Sequence, residues 1–162
     1  MPAPEFLLHA TGSWARFYGA SHAVSTGVTY LHLAGLLLAG GVAVSSDRAT
    51  LLAFREDEAA RVAHLARLAS VHGLVIGGLA IMMVSGLLMF LADVETFWSL
   101  RVFWIKMALV VLLLANGLMM RRAERLASSS PARAWAGLKA TSVISVALWF
   151  AIVLAGTILA SS

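Results

Sequence analysis

Two residues of this chain that can carry a charge or a proton, His32 and Lys106, lie inside stretches otherwise apolar enough to cross a bilayer. An ionisable group there is costly to desolvate, so it marks either a functional site or a bond between helices. An imidazole in that setting can ligate a porphyrin iron, pass a proton or hydrogen-bond a neighbouring helix. A lysine ammonium can pair with an anion, exchange a proton or snorkel to the interface. Helical spacing puts His32 on one face with Ser21, Ser25, Val28, Thr29, Gly35, Leu36, Ala39 and Ala43. The stripe is mostly small, which admits a close helix or a flat ligand and turns His32 inward. At ~1.5 Å per residue, His32 is ~13 Å and Lys106 ~7 Å from the same end of their spans, so one cavity can hold both. Phe103, Trp98 and Trp104 would wall it.

His72 is the second candidate metal ligand. Depth counting sets it ~10 Å or more from the level of His32, so a single iron held by both requires a shift of register. Among Arg61 and Arg67, His64 reads as a solvated face residue, while His22 reads as interfacial and His9 as surface. Asn116, deep in the third span, reads first as an interhelical hydrogen bond and second, with Trp104, as a cofactor contact. Gly73 and Gly77 have the small-xxx-small spacing of close backbone contact. Met82, Met83 and Met89 suit pliable packing, with Cu(I) ligation as the alternative.

The elements that must position these residues are four apolar spans, at about 23–44, 68–92, 102–120 and 141–159. Each is near the ~20 residues a helix needs to cross ~30 Å of hydrocarbon. A chain that is 60% hydrophobic and 12% charged, with mean hydropathy +0.89, is too apolar for a soluble domain. The expected fold is therefore all-α: a single-domain, integral-membrane, antiparallel four-helix bundle. Nine of the 12 basic residues, Arg48, Arg55, Arg61, Arg67, Arg121, Arg122, Arg125, Arg133 and Lys139, fall in the first and third connections. Basic residues are retained on the cytoplasmic side, so both termini are expected outside a bacterial inner membrane. Residues 4–19 mix Phe6, Trp14, Phe17 and Tyr18 with Glu5, His9 and Arg16, as an interfacial helix would.

Cysteine is absent, which excludes disulfides, thiolate metal sites and Cys-held iron–sulfur clusters. Phosphate-cradling glycine loops and hydrolase signatures are missing too. The net charge of +4 follows from topology and anionic lipid and gives no reason to expect nucleic acid.

Tyr30-Leu31-His32-Leu33-Ala34-Gly35 with Asp47-Arg48 after it, Ser85-Gly86-Leu87-Leu88-Met89-Phe90, and Phe103-Trp104-Ile105-Lys106-Met107-Ala108-Leu109 leading to Asn116 resemble a group of bacterial four-helix membrane proteins. That group is distantly similar to the HemJ-type protoporphyrinogen oxidases and the CopD-type copper-resistance proteins. The HemJ resemblance implies haem b, with a first-helix His and a third-helix Lys as the functional pair, here His32 and Lys106. After His32 this chain reads Leu36-Leu37-Leu38-Ala39-Gly40-Gly41 where HemJ-type chains carry Trp-Phe-x-Gly and Pro-Arg. What is implied is thus the architecture and a porphyrin cavity. The expected function is haem b or tetrapyrrole binding for electron transfer or porphyrin handling, with His32 as axial ligand and Lys106 as anion partner or proton-handling group. A small non-catalytic subunit or assembly factor, and copper passage of the CopD kind, are the alternatives. The partners expected are the bilayer and either a second copy or a larger membrane redox complex.

Overall fold

The structure is a computed structural model that describes residues 3–126 and 131–161. Its elements are six helices: α1 (Glu5–Ala20), α2 (His22–Ala53), α3 (Glu58–Ala92), α4 (Val94–Ser99), α5 (Arg101–Leu126) and α6 (Pro131–Ala160). No strand occurs among the described residues. Four of the helices, over His22–Ala53, Glu58–Ala92, Arg101–Leu126 and Ala134–Ala160, are long and apolar enough to cross a membrane. Their outward faces are apolar as well, with Leu37 75%, Phe150 66% and Val111 64% exposed.

The helices outrun the apolar spans. Neither Gly nor Pro occurs between Gly41 and Gly73, so nothing in the sequence breaks the α-helical ladder where the hydrophobic run stops. Consequently α2 continues to Ala53 and α3 begins at Glu58, capped by Asp57 Oδ1 on Ala60 N at 2.9 Å. The first connection is four residues long, and Arg48, Arg61, His64 and Arg67, expected within it, are helical. Residues 127–130 of the third connection lie outside the described residues. A short helix, α4, joins α3 to α5; Asp93 Oδ1 accepts from Thr96 N at its start.

Packing runs in a row: α3 lies along α2, α2 against α6, and α6 along α5. The outer members, α3 and α5, make no extended contact with each other. At the end that carries both termini they are joined by the Phe90 and Phe103 rings, stacked at 5.1 Å with Phe97 beside them. At the opposite, basic end, His72 Nε2 lies 3.6 Å from Glu124 Oε1. Between these two links a cleft is left. One core of Ala39, Met82, Val110, Leu113, Trp149 and Ile152 fills the middle of the row. A second, at the basic end, joins Ala53, Ala123, Trp135 and Leu138, with Phe54 under the Lys139 ammonium at 4.8 Å. Helix α1 packs on α3, α2 and α4 with no buried residue, and Trp14 Nε1 donates to Leu88 O at 2.8 Å.

The close approach of α2 and α3 is made by glycine, though not by the expected pair. A Cβ on Gly35 would sit 2.8 Å from Gly78 O and Met82 N, and one on Gly78 would sit 2.7 Å from Ala39 N. Both obstacles are backbone, so neither position tolerates a side chain without separating the helices. Gly73 and Gly77 have nothing within 4 Å of where a Cβ would be.

Candidate functional site

His32 projects from α2 onto α3. Its Nδ1 is 3.0 Å from Met82 O and 3.2 Å from Ser85 Oγ. A carbonyl oxygen only accepts, so in the neutral imidazole Nδ1 carries the hydrogen and Nε2 keeps its lone pair. Gly86 is what lets the ring lie there, since a Cβ at that position would be 3.0 Å from His32 Cε1. The stripe inferred from spacing is confirmed at its centre: Val28, Gly35 and Ala39 are buried.

Lys106 reaches from α5 to α6, where its Nζ lies 3.5 Å from the position a Cβ on Gly156 would take. The ammonium makes no hydrogen bond or ion pair among the described residues. It is close enough to His32 to act on it electrostatically. The two expected partners are thus linked by charge alone: His32 turns onto α3 and Lys106 onto α6.

The other candidates are not brought there. Trp104 is 47% exposed and donates from Nε1 to Trp98 O at 3.1 Å, so it braces the α4–α5 corner. Asn116 is buried and donates from Nδ2 to Thr141 O at 2.9 Å, the interhelical bond read from its position. His72 places Nδ1 2.8 Å from Leu68 O, one turn back on its own helix, and Nε2 beside Glu124. Ten residues of α3 separate His72 from Met82, about 15 Å of helix, so His72 and His32 stand at different levels. His64, read as solvated, instead places Nε2 2.8 Å from Oγ1 of the buried Thr50. No group of three or more metal-ligating His, Cys, Asp or Glu side chains is found among the described residues.

A second polar region went unread in the sequence. Asp47 is 3% exposed, and its Oδ2 is buried without a hydrogen-bond partner. Ser145 and Ser142 of α6 turn their hydroxyls toward the carboxylate, although neither Asp47 Oδ2 nor Ser142 Oγ completes a well-formed hydrogen bond. Asp47, Ser145, Asn116, His72 and Arg121 line a cavity of about 230 Å³ in the cleft between α3 and α5, otherwise walled by aliphatic side chains and Trp149. The available signal was the unbroken helical sequence after Val44, which places Asp47 within α2, 15 residues beyond His32, and not at its end. Comparison with family models, curated proteins and solved structures finds no match.

Proposed function

We propose that the four long helices form an antiparallel bundle across a bacterial inner membrane, both termini outside, and that the bundle binds haem b or a related tetrapyrrole at His32. The apolar outer faces support insertion, and the clustering of basic residues in the first and third connections supports the orientation. One observation carries the ligand assignment: Met82 O fixes the Nδ1 hydrogen of His32 and leaves Nε2 as a donor atom.

The residues present fit one axial nitrogen and one anion partner. Lys106, without an ion-pair partner among the described residues, brings an ammonium for a propionate or similar group; the imidazole already fills the space at Gly86, so a tetrapyrrole at His32 requires the helices to part there. A second axial nitrogen is not offered at this level by His72. When bound, the tetrapyrrole supplies one-electron chemistry, while the protein sets its surroundings and excludes water. Lys106 would hold the anionic edge and, unlike an arginine, could release a proton there.

The second reading is a non-catalytic subunit of a membrane complex. It draws on the fact that the His32–Met82 and Asn116–Thr141 bonds already join helices without any ligand. An absorption spectrum of protein purified from cells supplied with a haem precursor separates the two. A Soret band lost in His32→Ala and shifted in redox midpoint by Lys106→Met is the expected result. Its absence from the wild type rejects the cofactor reading and leaves the packing one.

A further inference from the structure

We infer that the cleft between α3 and α5 is a second binding site, for a membrane-soluble molecule with a single hydroxylated ring, of the phenol or hydroquinone class, anchored on Asp47. The inference rests on the proposed membrane insertion but not on haem binding. Four features define the occupant. The cavity of about 230 Å³ lies below the ~300–1,000 Å³ of sites for drug-sized ligands, which limits the head to about one substituted ring and excludes a tetrapyrrole. Its floor holds Asp47, 3% exposed, with Oδ2 unpartnered. In its ionised form Asp47 only accepts, and the complementary ligand then donates a hydrogen bond, as a ring hydroxyl does.

Charge narrows the class further. A cationic amine would also donate, but Arg121 lines the same cavity and opposes a second cation while offering N–H donors to a ligand oxygen. The path of entry gives the tail. α3 and α5 do not pack together between the Phe90–Phe103 stack and the His72–Glu124 link, and both helices line the cavity with aliphatic side chains, so the gap between them suits a ligand whose apolar tail reaches into the lipid. Gly117 lines the cavity with nothing within 4 Å of a Cβ position, so a larger side chain there has room to occupy the site.

The test uses the full chain in phospholipid nanodiscs and two probes of matched shape, a short-chain alkyl hydroquinone and its dimethyl ether, each titrated against empty discs. The hydroquinone should bind at least about tenfold more tightly than the ether, the size expected of one hydrogen bond to a charged acceptor. Asp47→Ala should erase that preference. Gly117→Leu, whose side chain enters open space, should weaken binding of both probes at least tenfold while helicity and monodispersity stay at wild-type values. Equal affinities for the two probes in the wild type, or undiminished binding by Gly117→Leu, would overturn the assignment. Failure of the chain to enter nanodiscs would overturn the membrane reading and this proposal with it, a result distinguishable from an inserted chain that does not bind.

Discussion

The two polar regions of this molecule are held in opposite ways. Around His32 the helices are drawn together: Gly35 and Gly78 bring α2 and α3 to backbone contact, Gly86 admits the His32 ring, and the Phe90–Phe103 stack ties α3 to α5. Around Asp47 the same two helices have separated, and a carboxylate oxygen and a serine hydroxyl are left without partners beside a cavity. A buried polar group without a partner costs about 1–3 kcal/mol, more when charged. The tight region uses its polar atoms to define an imidazole tautomer, whereas the open one keeps an unmet acceptor, which is what a ligand can use.

The largest difference expected between the regions is in cofactor content. His32→Ala should remove all bound haem, while His72→Ala, His64→Ala and His9→Ala should leave the Soret absorbance per protein unchanged. Complete loss in His72→Ala with retention in His32→Ala would move the site to the basic half and reverse the comparison.

Next in size is the packing that makes the tight region tight. Gly35→Ala or Gly78→Ala should each cost about 1–3 kcal/mol, because a Cβ would meet backbone atoms that cannot turn aside. Gly73→Ala and Gly77→Ala should be neutral or slightly stabilising, since the added methyls meet nothing and helix propensity favours alanine. Unfolding midpoints in detergent, compared across the four variants, decide the matter. Equal losses at all four would mean that α3 packs on more than the face described.

Hydropathy made the four helices legible, because an apolar run of sufficient length has few alternatives to a helix. His32 and Lys106 were legible for the same reason: each interrupts such a run. Gly73 and Gly77 show where the reading stops. Their spacing is that of a packing motif, but which face of α3 meets α2 is set by the whole interface, and Gly78, one residue on, makes the contact. Asp47 shows a second limit. A hydropathy window ends a span where charges begin, whereas the backbone continues until something breaks its hydrogen bonds, so a carboxylate just past the window reads as closing the helix although it is buried within it.

A smaller effect with the opposite sign is expected at Asp47 itself. Asp47→Asn keeps the shape and removes a buried charge at the cost of weakening the approach of the Ser142 and Ser145 hydroxyls to the carboxylate, so the variant should be as stable as the wild type or more stable by about 1 kcal/mol. Thermal unfolding in the same detergent reads this directly. A lower midpoint would show that the carboxylate is needed by the fold, and the contrast between a closely packed His32 region and an Asp47 region kept open for a ligand would fail.

The smallest effect should come from the link across the cleft at the basic end. His72 and Glu124 have side chains 25% and 19% exposed, their closest atoms are 3.6 Å apart, and no hydrogen bond is formed at Glu124 Oε1. A pair at that distance and exposure is worth little, about 0–1 kcal/mol, since its Coulomb energy is offset by desolvation and side-chain ordering. Glu124→Gln should therefore leave the unfolding midpoint nearly unchanged, because the amide stays polar without a charge to desolvate. What it should change is the freedom of α3 and α5 to part. Cysteines placed at Ile76 and Leu118, on the two walls of the cleft, would be spin-labelled and their distance distribution compared with and without Glu124→Gln. A broader distribution in the variant, at constant stability, would identify the pair as a latch on the cleft. An unchanged distribution would leave the divergence of α3 and α5 to the α2–α6 packing alone, and the two ends of the cleft would then differ in kind: aromatic stacking holding one, nothing specific holding the other.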